Sequence, residues 1–286
     1  MMSTFKALLL VMCALALTPS AARAQDDSKP RLKLDVMRGP TNAPLGSVAH
    51  IAVPEGYVFL DGKNTRAMLK ASGEPVGGDE LGFLRATNEH WSVYFMFRDI
   101  GYVKDDDKDK LDADKLLESI KKGTAEANKA RQSAGNPPLE IVGWEIPPKY
   151  DATTHNLEWA IRATCEGETI LNYNTRILGR KGVMSVVLVV GPEDLAQTLP
   201  SFRKLLTGYT YQTGQTYAEY RPGDKIAKYG LGALVVGGAA VGAAKLGLFA
   251  WLAVFFKKGA KLIIIGVVAV AAFIKKLFTR GPKTGE

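Results

Sequence analysis

The chain has little of what catalytic sites are commonly built from: two cysteines and three histidines in 286 residues. His50, His90 and His155 stand far apart, and none has a metal-ligand spacing such as H-E-x-x-H, so no metal site is expected. There is no G-x-S-x-G elbow and no P-loop, and "GLGALV" from Gly230 lacks the third glycine of a dinucleotide loop, so no cofactor is expected. A calcium loop is excluded as well. Asp105, Asp107 and Asp109 occupy its positions 1, 3 and 5, but Lys110 stands where glycine is required and Leu116 where glutamate is required. The acidic run reads instead as the solvated start of a helix. Triads assemble from distant positions, so missing motifs leave an enzyme without a named reaction and do not remove it.

What is present begins with "MMSTFKALLLVMCALALTPSAARAQ". Lys6, an apolar run from Ala7 to Leu17 and the small-residue exit Ala22-Arg23-Ala24 follow the plan of a cleaved secretory signal over residues 1–24. Cleavage after Ala24 leaves Cys165 as the one cysteine, so no internal disulfide is expected although export implies an oxidising compartment. Cys165 then reads as a small core residue.

The formal charge of +8 suggests nucleic acid until it is mapped. Residues 25–220 hold 24 Lys and Arg against 27 Asp and Glu, which is −3, and residues 221–286 hold 11 against 2, which is +9. The basicity therefore belongs to a tail with long apolar runs, where it favours lipid headgroups over nucleic acid.

Residues 25–46 are polar and proline-bearing and read as a flexible lead-in. From residue 47 to 220 the pattern gives one α+β domain, a mainly antiparallel sheet flanked by two or three helices. "VAHIAVP", "YVFLD", "LGFLRAT" and "WSVYFMFRD" read as strands, with "NTRAMLKASG" as a short helix capped by Asn64. Trp91, Val93, Phe95 and Phe97 share one face of the fourth strand, and Tyr94 and Met96 the other, so it is expected to be central. A helix follows over Asp112 to Ser133, with Leu116, Leu117 and Ile120 on its apolar stripe. "LEIVGWEI", "TTHNLEWAIRATCE", "ETILNYNTRILG" and "VMSVVLVV" are then strands, and a last helix from Glu193 to Leu206 precedes the strand "GYTYQ".

A turn centred on Gly167 pairs Leu157 with Ile177, Ile161 with Tyr173 and Ala163 with Leu171, which keeps apolar residues together. The same register sets Glu158 opposite Arg176 and Arg162 opposite Asn172, and the next hairpin puts Ser185 across from Arg176. The expected binding patch is therefore Glu158, Arg162, Asn172, Asn174, Arg176 and Ser185. Asparagine is a poor strand former, so two alternating in one strand suggest a surface that meets something polar.

After a linker at 221–228, residues 229–256 carry one charge, Lys245, and are long enough to cross a bilayer as a helix. Gly238 and Gly242 form a G-x-x-x-G step that permits close helix packing, and Lys245 inside a span calls for a partner. A second apolar segment, 257–276, is too short for a free-standing crossing and reads as embedded or hairpinned, with a basic tail at 277–286.

The stretches "VPEGYVFL", "GYVKDDD", "GWEIPPKYD", "LEWAIRA" and "NYNTRILGRKGVM", with the glycine-rich tail, resemble a family of bacterial membrane-anchored proteins of unknown function. The resemblance implies an exported domain on a C-terminal anchor and supplies no catalytic residue. More loosely, "VPEGY" and "LPSFRKLLTGYTY" around an antiparallel sheet resemble the PsbP-like fold, which implies assembly or binding. The expected protein is a non-enzymatic binding or assembly module in the bacterial inner (cytoplasmic) membrane, its main domain periplasmic. Its expected partners are membrane lipid and another envelope protein. Two alternatives stand beside it: an envelope hydrolase using Glu158 with His155 or Arg176, and a subunit of a membrane transport or envelope complex in which Lys245 meets a partner's carboxylate.

Overall fold

A computed structural model describes residues 32–72, 76–133 and 137–237. The strands are β1 (Met37–Arg38), β2 (Thr41–Leu45), β3 (Ala49–Val53), β4 (Tyr57–Asp61), β5 (Glu80–Ala86), β6 (Ser92–Arg98), β7 (Glu140–Asp151), β8 (Asn156–Cys165), β9 (Glu168–Leu178), β10 (Val183–Val189) and β11 (Tyr209–Tyr211). The helices are α1 (Gly62–Ala71), α2 (Ala113–Ser133), α3 (Leu195–Leu206) and α4 (Leu231–Val235). An eight-stranded antiparallel sheet runs β1-β4-β5-β6-β10-β9-β8-β7, and a small sheet runs β11-β3-β2. This is the expected α+β class with a mainly antiparallel sheet. Among the described residues no helix is long and apolar enough to cross a membrane. The expected signal, the C-terminal transmembrane helices beyond Gly237 and the residues Gly238, Gly242 and Lys245 lie outside the described residues.

The central strands of the large sheet are covered on both faces, β10 almost throughout, and that explains their composition. One face presents Phe59, Leu84, Phe95, Met184 and Tyr173 to the small sheet and to Phe202 of α3. Tyr211 joins the two sheets: its hydroxyl donates to the Ile177 carbonyl (2.8 Å) and accepts the Met184 N–H (3.2 Å). The opposite face presents Leu157, Trp159 and Ile161 to Ile120 of α2 and to Leu231 and Leu234 of α4. At the other end of this face α1 packs Met68 against Leu60 and Phe83. Its N-cap is Asp61, which accepts the Asn64 N–H at 2.8 Å, and not Asn64 as the sequence suggested. Asp112 caps α2 by accepting the Lys115 N–H, and Trp144 fastens β7 to the same helix start through the Ala113 carbonyl at 3.0 Å.

Both boundaries of the domain lie further out than the sequence indicated. Residues 37–45 were expected in a flexible lead-in, yet β1 pairs with β4, β2 pairs with β3, and Ala43 and Leu45 are fully buried. Pro44 fits because β2 is an edge strand, where a missing N–H is tolerated. At the other end, residues 221–235 are packed on the domain. Asp224 receives a two-pronged bond from Arg180 (2.7 and 2.8 Å), Ile226 bridges Tyr102, and Leu231, Leu234 and Val235 are 0, 1 and 5% exposed. Cys165 is buried in the core on the α2 side of the sheet, where its reading as a small core residue places it.

Two outcomes test the docking of the C-terminal segment. Leu231→Ala is expected to cost about 2–5 kcal/mol in chemical denaturation, as for a fully buried leucine; no loss would mean that α4 is not part of the core. The bonds from Arg180 and from the Arg221 N–H hold the Asp224 carboxyl down at about 2. A depressed folded pKa gives stability above the unfolded value near 4 that is lost as pH falls toward 2. The excess of the wild-type Tm over that of Asp224→Asn is therefore expected to persist at neutral pH and to narrow between about pH 4 and 2.

Candidate functional site

The hairpin between β8 and β9 closes through two residues, Glu166 and Gly167, whose φ values are +52° and +85°. Two positive φ angles in a two-residue loop are those of a primed turn, whose twist matches that of paired strands. Cys165 thus faces Glu168, and the pairing runs through Trp159↔Asn174, Glu158↔Thr175 and Leu157↔Arg176. This is one residue away from the register expected from apolar alternation, and one residue exchanges the two faces. Alternation misled because each face has its own core: Leu157, Trp159 and Ile161 belong to one, Leu171, Tyr173 and Ile177 to the other.

The expected patch is accordingly split. Asn172, Asn174, Arg176 and Ser185 remain together on the face shared with α2, and Ser185 pairs with Arg176 as expected. Glu158 and Arg162 point to the opposite side. Glu158 accepts from the Tyr173 hydroxyl at 2.5 Å and, weakly, from Arg203 at 3.5 Å, while Arg162 pairs with Glu145 at 2.6 Å. The Arg162 pair is partly exposed and contributes on the order of 0–1 kcal/mol. Burial first, then the bond to Glu158, pushes the Tyr173 hydroxyl well above its ordinary range, so it stays a donor at any working pH.

In place of the lost members the patch gains two residues. Trp159 lies under Arg176, with the guanidinium carbon 4.6 Å from the ring centroid. Such stacking adds about 0.5–2 kcal/mol. Arg98 at the end of β6 is on the same face, across β10 from Arg176 through the Val183 and Ser185 pairs. Burial, and secondarily the Arg98 charge, draws the Arg176 guanidinium down to about 9. Asn174 donates to the Asn172 carbonyl at 3.1 Å and takes a long bond from Arg176 at 3.5 Å. All four expected residues are between 3 and 8% exposed, so this is a covered slot and not an open surface. The alternation of β6 already set Arg98 with Tyr94 and Met96; Trp159 becomes visible as soon as the two-residue turn is recognised.

His155 sits at the β7–β8 turn with φ +54°, a conformation uncommon outside glycine. Its Nδ1 is 3.0 Å from the Tyr150 hydroxyl, which donates to Asp105 at 3.0 Å, and its ring lies 4.3 Å from that of Tyr217. His155 is therefore bound to Tyr150, while Glu158 is engaged on the far face with Tyr173. The acidic run has a structural role that its failed calcium pattern hid. Asp105 ties down Tyr150, and Asp107 accepts the Leu231 and Gly232 N–H groups at the start of α4 (3.2 and 3.4 Å). Among the described residues no group of three or more His, Cys, Asp or Glu is placed to hold a metal ion.

With this geometry, the family described as "Protein of unknown function (DUF2167)" matches residues 37–271. The chain belongs to that family. The DUF2167 match spans both the folded domain and most of the apolar tail, and it agrees with the resemblance to a family of unknown function. No curated protein sequence matches the chain. Among solved structures the chain is similar to the solution structure of cyanobacterial PsbP (CyanoP) from Synechocystis sp. PCC 6803. The identity is 12% and the TM-score 0.38, over 66% of this chain and 98% of that one. So distant a likeness carries nothing about function.

If Glu158 serves the Tyr173 hydroxyl as a structural acceptor, Tyr173→Phe is expected to lower stability by about 1.5–3 kcal/mol in denaturant unfolding, the range for a buried bond to a charged group. An unchanged midpoint would return Glu158 to consideration as a reactive carboxylate.

Proposed function

We propose that this DUF2167 protein is a membrane-anchored binding or assembly module of the bacterial envelope, held in the inner membrane with its domain on the periplasmic side. Its contact site is the covered slot of Asn172, Asn174, Arg176 and Ser185, with Arg98 and Trp159. The supporting observation is the buried cation Arg176 in line with two alternating asparagines, Asn172 and Asn174, on an interior strand of the sheet. Burying a charge and two amides costs stability where apolar residues would pack, and asparagine disfavours the strand. Residues kept against stability point to a use. Guanidiniums and amides offer donors, so the matching partner presents carboxylates or backbone carbonyls, as an acidic segment of another envelope protein does. Slight exposure implies that engagement is coupled to opening of the flanking segments.

The hydrolase reading loses its geometry: Glu158 and Arg176 lie on opposite faces, and His155 is bound to Tyr150. The reading as a subunit of a transport or envelope complex, through Lys245 in the bilayer, has no observation in its favour among the described residues.

Arg176→Met keeps the volume and removes the charge. It is expected to leave the domain as stable as wild type or about 1 kcal/mol more so, while cross-linking in native membranes loses its partner bands. Capture unchanged in a folded Arg176→Met protein would remove the slot as the contact site.

A further inference from the structure

We infer that the end of the domain where residues 99–104 meet residues 220–229 rests on the bilayer surface, with Tyr220 and Ile226 in the lipid interface; this deepens the anchored reading above and depends on it. The strap is tightly fastened. Tyr102 donates its N–H to the Lys225 carbonyl and accepts the Ala227 N–H, both at 2.8 Å. Its ring stacks on Tyr217 and leans on Tyr220, each at 4.4 Å between centroids. Gly101 makes the approach possible: its φ is +95°, and a Cβ there would stand 2.5 Å from the Lys225 carbonyl oxygen. Immediately afterwards α4 is capped by Asp107 and buries Leu231 and Leu234 beneath α2. The chain has no slack before Gly237.

Length then fixes the position of the domain. By sequence the run able to cross the membrane begins at Tyr229, but residues through Val235 belong to the core. The remaining stretch from Gly238 to Phe256 is 19 residues, about 28 Å as a helix against a hydrocarbon core of about 30 Å. Every residue of it is needed for the crossing. The span has to start where α4 ends, and α4 is a single short helix, Leu231–Val235, directly after the strap. At about 1.5 Å per residue the entry point lies about 10 Å along the chain from the strap, which holds this end of the domain near the headgroups.

The surface there suits that contact. Tyr220 and Ile226 are 37 and 38% exposed, two of the four large hydrophobic residues exposed among the described residues; the others are Met37 and Val142. Arg221, Lys225 and Lys228 are exposed beside them, while the strap's carboxylates are engaged, Asp224 by Arg180 and Glu219 by Thr216. Tyrosine rings and long cationic side chains are the side chains that settle at the membrane–water boundary. Asp99 and Asp106 also lie nearby, so the contact is made by the apolar pair and not by a uniformly basic patch.

The test uses the full chain in nanodiscs of phosphatidylethanolamine and phosphatidylglycerol. Ile226→Cys and, separately, Val142→Cys are labelled with one polarity-sensitive thiol fluorophore; the unsubstituted chain, with Cys165 buried, gives the labelling background. Val142 is comparably apolar and exposed, so it controls for the fluorophore's own affinity for lipid. Replacing the lipids by brominated ones is expected to quench the probe at 226 and leave the probe at 142 unchanged. Loss of both chains from the discs in an alkaline wash would overturn the anchored reading and this inference with it. Retention in the discs with no quenching at 226, or with equal quenching at 142, would overturn the orientation alone.

Discussion

Much of this structure depends on the length of one turn. Glu166 and Gly167 close the β8–β9 hairpin in two residues, and that number decides which side of the sheet each side chain of β9 faces. A turn of one residue more or less would carry Arg176 and both asparagines into the core shared with α3, and would move Tyr173 away from Phe202, against which its ring packs edge-on at 5.7 Å. Glycine at 167 supplies one of the two positive φ angles at little cost. Glu166 takes the other in a conformation that costs a non-glycine residue about 1 kcal/mol or more, and the pairing on both sides of the turn holds it there.

The large sheet works as a partition. It separates a core made with the small sheet and α3 from a second made with α2 and α4, so its central strands must satisfy two packing environments at once. Four polar residues of β9 and β10 lie on the α2 and α4 side at exposures of 3 to 8%. The cation among them is stacked on Trp159 and drawn down by its burial. In a partition built for packing, this cluster departs from what packing alone would select, and the proposed binding role rests on that departure.

The second organising feature is the acidic run after β6. Three consecutive aspartates read as a solvated helix start, and Asp106 is exposed as that reading requires. Asp105 and Asp107, however, join the β7–β8 turn and the beginning of α4 to the same loop. The amino end of a helix attracts negative charge, and α4 receives it from a residue 124 positions earlier in the chain. Nothing in a local window of sequence could show that pairing. It converts a segment that reads as linker and membrane entry into part of the folded domain.

The sequence by itself determined the kind and order of the elements. β3 to β11 and three of the four helices fall where alternation, helical periodicity and breaker residues place them, because those signals are local and the side chains that carry them are buried as the periods require. It also determined that Ser185 faces Arg176, since the β9–β10 hairpin is fixed by its own loop. Tertiary structure alone decided the register of β8 on β9, and with it the separation of Glu158 from Arg176. When both faces of a sheet are apolar, hydrophobic pattern no longer distinguishes one face from the other, and turn geometry takes over. It decided as well that the chain stays folded from Met37 to Val235. Burial of Leu45, Leu231 and Leu234 depends on partners far away in the sequence, and no periodicity in their own short segments announces it.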